Sequence, residues 1–326
     1  MGEDSPRTLK SVLEEEMATS SSERASALLA LSNDLADAVD RAGRAVVAVN
    51  GRQRQTSSGV HWQPGVVVTA EHTVKRDEEL SVTLPDHQII SASLVGRDPS
   101  TDLAVLKLQG VEFPTADIPE TSLLQVGHIV LALGRSGESG LSASWGVIST
   151  LSSAWRTGYG GQIDQLVRPD LTLYSGFSGG PLVDAQGQVV GINTSGPRRS
   201  VLTIPVSTVN RVVAQLLEKG CITRGYLGIS MQPVRLPEAL TSTLNLAGSG
   251  GVIVVNVEPG GPTEQAGVLI GDVLVALDGM PVSDASDVLA LLGFERVGKT
   301  ISAHIIRGGV PTELAITVGE RLRGER

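Results

Sequence analysis

A serine set among glycines, Ser175-Gly176-Phe177-Ser178-Gly179-Gly180-Pro181, is where this chain could do chemistry. A hydroxyl is a weak nucleophile at neutral pH and needs an adjacent base. It also needs N–H donors aimed at the negative charge that develops on a carbonyl oxygen. Gly176 has no Cβ to keep its N–H at a distance, and the N–H of Ser178 itself is the second candidate donor. Gly179 and Gly180 leave room for a substrate chain to approach. Taken alone, the stretch is equally well a glycine-rich turn ahead of a strand at Pro181-Leu182-Val183.

Two further residues change that balance. His72 ends the run Val66-Val67-Val68-Thr69-Ala70-Glu71-His72, whose apolar part reads as a buried strand. Asp102 stands just before Leu103-Ala104-Val105-Leu106-Lys107-Leu108, a second strand. His, Asp, Ser is one of the known chain orders for a catalytic triad, the order found on double β-barrels. In that reading Ser178 attacks a carbonyl, His72 moves the proton, and Asp102 orients the imidazole. Asp98 is the rival carboxylate, but it precedes Pro99 and suits a turn better. His61 and His87 are expected to be solvated, since neither ends a continuous apolar run. His128 and His304 read as ordinary surface or strand residues.

The elements that must position these residues follow from pattern. Leu28, Leu31, Leu35 and Val39 recur at helical spacing, which predicts an amphipathic helix from Glu23 to Ala42, ended by Gly43. A separate short helix is expected at Leu9–Met17, with Ser22 as N-cap of the longer one. From Ala45 onward short β-rich runs alternate with turn signals, and Thr208–Lys219 reads as a closing helix ended by Gly220. A second strand-rich unit begins at Gly225. Its helices are expected near Pro262–Ala266 and at Ser286–Leu292. The boundaries predicted are a helical segment over 1–43, a β-domain over 44–220 and a second domain over 221–320, in a mostly β chain.

Composition narrows the class. The 326 residues carry a net charge of −9, which argues against a nucleic-acid partner. Cys221 is the only cysteine, so no intrachain disulfide can form. No metal-spaced Cys/His/Asp/Glu cluster and no phosphate-cradling glycine loop is present, so no metal and no cofactor is expected. No segment has the length and apolarity of a membrane span. The N-terminus lacks a basic and apolar leader pattern, so the chain as written reads as cytoplasmic. Removal of a leader would make it periplasmic or otherwise extracytoplasmic.

These stretches together resemble the HtrA/Deg family of serine proteases, from about residue 33 to the C-terminus. Val68-Thr69-Ala70-Glu71-His72-Thr73-Val74 is similar to the family's histidine strand. Asp98-Pro99-Ser100-Thr101-Asp102-Leu103-Ala104-Val105 is similar to its aspartate motif, and Gly176-Phe177-Ser178-Gly179-Gly180-Pro181-Leu182 to its serine motif. Gly191-Ile192-Asn193-Thr194 and Thr203-Ile204-Pro205 resemble the strands that edge its cleft, and Arg224-Gly225-Tyr226-Leu227-Gly228-Ile229 its PDZ boundary. The resemblance implies a trypsin-like double six-stranded β-barrel followed by a PDZ domain. It implies an ATP-independent endopeptidase acting on unfolded or damaged proteins, with Gly176 and Ser178 as oxyanion donors. It places Thr172, with Thr194 and Ile204, at the substrate pocket; with no carboxylate at Thr172, side chains such as Val, Ala or Leu are expected before the cut. It assigns Tyr226, Leu227, Gly228 and Ile229 to binding peptide C-termini, and it implies a homotrimer. The family's N-terminal aromatics have no counterpart here, since the first aromatic is Trp62. Phe177 stands where the family usually has Asn, and Tyr174-Ser175 replaces a usual Asn-Pro pair. These departures keep a second reading open, a protease-like chaperone or peptide-binding scaffold with little or no hydrolysis.

Overall fold

The computed structural model describes residues 9–52, 55–119, 124–136, 140–157, 161–195, 201–222, 224–244, 246, 248–293 and 296–321. By contact density the chain divides into two units. One comprises Met1–Leu94, Ala104–Ser152 and Gln165–Val209; the other comprises Val95–Leu103, Ser153–Asp164 and Asn210–Arg326.

Helix α1 (Leu9–Gly43) leads into two closed barrels. The first takes β1 (Val46–Asn50), β2 (Ser57–Gln63), β3 (Val66–Ala70), β4 (Leu80–Thr83), β5 (Ile89–Asp98) and β6 (Leu103–Leu108), in the order β1-β2-β3-β6-β5-β4. The second contains β7 (Ile129–Ser136) and β8 (Gly140–Ser152). After a small hairpin, β9 (Trp155–Arg156) and β10 (Gln162–Ile163), it is completed by β11 (Leu166–Asp170), β12 (Pro181–Asp184), β13 (Val189–Ser195) and β14 (Val201–Pro205). Its order is β11-β14-β13-β12-β7-β8. The double six-stranded barrel expected from the resemblance is therefore present. Val47, Val49, Val67, Leu80 and Leu106 fill the first barrel; Val130, Ile148, Val167, Leu182 and Val190 fill the second. Arg135 of β7 reaches back to the first barrel's entry, donating from Nε to the Val46 carbonyl (2.6 Å) and from Nη2 to that of Gly43 (2.9 Å).

The separate short helix expected at Leu9–Met17 is instead the start of one continuous α1. Neither Gly nor Pro occurs between Pro6 and Gly43, and serines alone do not break a helix. The predicted stripe docks only in its last turns. Ala38 and Ala42 are buried, Leu35 and Val39 half-buried, and Leu28 and Leu31 exposed.

His61 corrects a second expectation: it is buried, not solvated. Its ring stacks on Phe113, with centroids 3.9 Å apart. The Gly65 N–H points at Nε2 (3.1 Å) and can only donate, so Nε2 is unprotonated and Nδ1–H donates to the Pro114 carbonyl (3.0 Å). Burial, against the opposing pull of that carbonyl, holds the His61 pKa below its usual value of 6.5. The unfolded chain thus binds a proton that the folded chain refuses, in the window from 6.5 down to the folded value. Stability is full above that window and falls as pH drops through it. Thermal melts at pH 7.5 and 5 should show a larger loss for wild type than for His61→Gln, the difference between the two isolating this residue.

After α2 (Val206–Lys219), the other unit pairs β15 (Arg224–Tyr226) with β22 (Gly319–Arg321). Its main sheet runs β16 (Ile229–Arg235), β17 (Gly250–Val257), β18 (Val273–Leu277), β20 (Thr300–Arg307), β21 (Val310–Thr317), with β19 (Met280–Pro281) beside β18. Helices α3 (Glu238–Thr243), α4 (Pro262–Gln265) and α5 (Ala285–Leu291) complete it. Asp284 caps α5, accepting from the Ser286 and Asp287 N–H groups. Asp272 is buried and grips the Arg307 guanidinium through both carboxylate oxygens. Burial alone would push its carboxyl up, but the Arg307 fork and the Leu269 N–H more than offset this and hold it low.

Candidate active site

The histidine segment is held from several sides. His72 sits half-buried in a 3₁₀ turn, Glu71–Thr73, that follows β3. Arg52 donates from Nε to the Thr73 carbonyl (3.2 Å) and from Nη2 to that of His72 (3.3 Å). Thr73 Oγ1 donates to the Ala70 carbonyl (2.7 Å) and accepts from Ser57 Oγ (2.9 Å). These bonds fix the backbone on both sides of the imidazole.

The serine loop is two successive turns. The Phe177 N–H donates to the Tyr174 carbonyl (3.1 Å) with Gly176 at φ +90°, and the Gly180 N–H donates to that of Phe177 (2.9 Å) with Gly179 at φ +85°. Positive φ at the third position is the mark of a type II turn and explains both glycines. Ser58 of β2 then ties the loop to the first barrel. Its Oγ donates to the Gly176 carbonyl (2.7 Å), its N–H donates to the Ser178 carbonyl (3.1 Å), and its Oγ accepts from the Arg135 N–H (2.9 Å). The Gly179 N–H donates to the Asn193 carbonyl of β13 (2.9 Å), and Asn193 returns its N–H to Gly180 (2.8 Å). The loop carbonyls of residues 176, 177, 178 and 180 are thus all taken. Among the described residues, no backbone carbonyl accepts from the N–H of Gly176 or of Ser178.

Both residues line one cavity of about 590 Å³, together with His72. Its walls also take Arg52, Thr56, Ser57 at the start of β2, Leu173, Tyr174, Ser195 and Val201. No described carboxylate lines it. Of the residues expected at the substrate pocket, Thr172 is exposed and Thr194 and Ile204 are buried in the second barrel. None of the three lines the cavity; Leu173, Ser195 and Val201, which the sequence reading missed, do. Each lies within three residues of a predicted one, and Ser195 and Val201 stand in β13 and β14, where successive side chains alternate between faces.

Asp102 lies half-buried in the turn entering β6, a barrel neighbour of β3, with φ at +57°. Asp98 is buried, and its two oxygens accept from the Ser100 N–H and hydroxyl and from the Thr101 hydroxyl. These bonds anchor it in its own turn, the role that its place before Pro99 suggested.

In the other unit, Leu227 is buried in the core and Gly228 adopts φ +80°. Thr263 donates its N–H (3.1 Å) and hydroxyl (2.8 Å) to the Leu227 carbonyl, and the Glu258 N–H donates to that of Gly228 (2.8 Å). The Tyr226 hydroxyl is hydrogen-bonded to the Glu258 carboxylate. Ile229 opens β16, which among the described residues is an edge strand paired with β17 alone, and it packs against α5.

Against known proteins, residues 57–192 match the trypsin-like peptidase domain and residues 225–318 the PDZ domain. A serine endoprotease from Yersinia pestis superposes with a TM-score of 0.71 at 30% identity, covering 87% of this chain and 97% of that one. The putative serine protease HhoB of Synechocystis is 31% identical over 281 residues, 82% of this chain and 67% of its own. The chain belongs to the HtrA/Deg family of serine endoproteases. An HtrA-type protease, AlgW, solved with a tripeptide, aligns at 30% identity with a TM-score of 0.70 over 88% of this chain and 97% of that one. A probable periplasmic DegP-like endoprotease of Pseudomonas putida is 33% identical over 78% of this chain, which spans 53% of that relative's length. The chain covers about half of several such DegP-like family members. Among the described residues no helix is long and apolar enough to cross a membrane.

Proposed function

We propose that the chain is an ATP-independent serine endopeptidase hydrolysing peptide bonds of unfolded or damaged proteins. Ser178 Oγ attacks the scissile carbonyl, and His72 takes its proton and returns it to the leaving amine. Asp102 holds the imidazole tautomer and offsets the positive charge. The N–H groups of Gly176 and Ser178 receive the oxyanion. Water then attacks the acyl-enzyme by the same proton path. The observation that carries this reading is that His72, Ser178 and Gly176 line one cavity while the loop's carbonyls are engaged elsewhere.

The cavity's lining supports the substrate preference. Leu173 and Val201 are apolar, and Arg52 is its one described charge. A Lys or Arg side chain before the cut would find no described carboxylate, so medium apolar residues are favoured there. Thr172, Thr194 and Ile204 remain proposed as the pocket's supporting shell. The relatives' printed names place them in the periplasm, which favours the extracytoplasmic location over the cytoplasmic one. A homotrimer belongs to the same proposal by family membership.

A fluorophosphonate probe tests the hydrolase directly, because it labels only an activated serine. Labelling and casein digestion that vanish together in Ser178→Ala support the reading. A folded wild-type chain that neither labels nor digests casein, with peptide present, would make it a binding scaffold instead.

For the second domain we propose capture of peptide C-termini by strand addition to the β16 edge, with α5 as the opposite wall. Tyr226, Leu227, Gly228 and Ile229 would form the carboxylate-binding loop. Support comes from the edge position of β16 and the φ of Gly228. A Cβ at Gly228 would meet Tyr226 Oη at 3.3 Å and the Gly261 backbone at 3.4 Å in a left-handed conformation. Gly228→Ala is therefore expected to weaken binding of a decapeptide ending in Val by roughly tenfold, in line with the ~1–2 kcal/mol of left-handed strain. Fluorescence anisotropy of the labelled peptide checks this, and unchanged affinity would detach this loop from the site.

A further inference from the structure

We propose that Phe177 is a positioning residue for the oxyanion turn, pinned by Tyr174 on one side and by the bare backbone of Gly134 on the other. The inference rests on the hydrolase reading above and adds to it a device that sets the rate.

Phe177 is the residue between the two proposed oxyanion donors. Its following peptide carries the Ser178 N–H, so its backbone orients that donor directly. The Gly176 N–H lies one peptide further back, inside the turn that the Phe177 N–H closes, so Phe177 acts on that donor through the turn. Its own N–H closes the first turn onto Tyr174, and its carbonyl closes the second onto Gly180. Its ring is only 5% exposed and sits in the second barrel's core with Val130, Leu182 and Val190. Tyr174 meets it edge-on, with centroids 5.5 Å apart and planes at 70°, a favourable aromatic geometry. Gly134 lies beneath it: a Cβ there would stand 2.4 Å from Phe177 Cδ1 and 2.8 Å from Cε1. The ring therefore occupies the space a side chain at 134 would take. A buried aromatic has few rotamers open to it, so the backbone that carries it is held too. A polar side chain such as the family's usual Asn would enter this apolar hole without the same fit.

Tyr174 is 57% exposed and lines the cavity next to Ser178. It contributes the outer jaw of the pin from the solvent side, where its loss leaves the core intact. That separates positioning from plain core packing.

The test uses the full chain, at a temperature well below its melting point, with a Val-terminated peptide p-nitroanilide. A matching peptide trifluoromethyl ketone, whose adduct oxygen sits where the oxyanion forms, serves as the second probe. Phe177→Leu is expected to lower kcat 10- to 100-fold and ketone affinity by a similar factor, with KM within threefold. Tyr174→Ala should lower both about three- to tenfold without lowering the melting temperature. Gly134→Ala should lower kcat at least tenfold, and adding Phe177→Leu to it should recover part of that loss, since the smaller side chain makes room for the methyl. A kcat within twofold of wild type in folded Phe177→Leu and Tyr174→Ala overturns the proposal. So does a fall in kcat that ketone affinity does not follow. If wild type fails to label with fluorophosphonate, the hydrolase reading has failed; the pin is then judged by amide exchange across residues 172–182. Faster exchange in Tyr174→Ala upholds it, and unchanged exchange rejects it.

Discussion

Ser178→Ala and His72→Ala are each expected to lower kcat on a peptide p-nitroanilide by on the order of 10⁶, and the double variant is expected to be no slower than either alone. The reason is that the two side chains do one job. Without the hydroxyl there is nothing for the imidazole to deprotonate, and without the imidazole the hydroxyl remains a poor nucleophile. Two residues acting independently would instead multiply their losses in the double variant. What survives should be the effect of Gly176 and Ser178 N–H groups and of substrate binding, about 10³–10⁴ over water. Asp102→Asn should lose about 10⁴, because it leaves the imidazole in the wrong tautomer while the geometry stays. Single-turnover rates with the protein in excess make these comparisons without product release. A His72→Ala chain that hydrolyses the substrate at near wild-type rate would reduce His72 to a strand-end residue, whatever cavity it lines.

Much of this site was legible because its strands announce themselves. Val66–Val68 and Leu103–Leu106 are continuous apolar runs, and both prove fully buried. They carry the histidine and the aspartate, so local pattern was enough to place each beside a strand. Strand β2 shows the opposite case. Ser57-Ser58-Gly59-Val60-His61-Trp62-Gln63 reads as polar, yet its first six residues are buried. Its hydroxyls are satisfied by partners at Thr73 and Gly176, 16 and 118 residues away in sequence. Gly59 is required there because a Cβ would stand 2.8 Å from Val49 and Val67 side chains. No local window contains that information. The same holds for His61, whose burial depends on Phe113 and Pro114 arriving from beyond β6. The cavity lining was hidden for a different reason: Thr172 and Leu173 are adjacent, and no local pattern says that Leu173 and not Thr172 lines the cavity.

Gly179→Ala is expected to damage activity and stability together, and more than Gly176→Ala does. Both glycines have φ near +90°, so backbone strain of about 1–2 kcal/mol is common to both. The difference lies in what the new methyl meets. At Gly176 only the Thr56 carbonyl is near, at 3.4 Å, an ordinary contact. At Gly179 the Cβ would fall 2.3 Å from the Ser58 carbonyl oxygen, 2.4 Å from Thr69 Oγ1 and 2.7 Å from the Ala70 nitrogen. None of these can yield cheaply. Ser58 and Ala70 present backbone of β2 and β3, and Thr69 Oγ1 is itself committed to the Ser58 carbonyl at 2.7 Å. Relief therefore means moving the serine loop away from the strand that leads to His72, which lengthens the Ser58–Ser178 and Gly179–Asn193 bonds. Overpacking of this kind adds roughly 1–3 kcal/mol to the strain. A displacement near 1 Å between nucleophile and base costs about 100-fold in rate. Calorimetry should show a melting temperature below that of Gly176→Ala, and kcat should fall at least about 100-fold. Should Gly179→Ala instead match wild type in both, the serine loop does not press against β2 and β3, and the path by which Ser58 holds Ser178 near the histidine strand is lost with it.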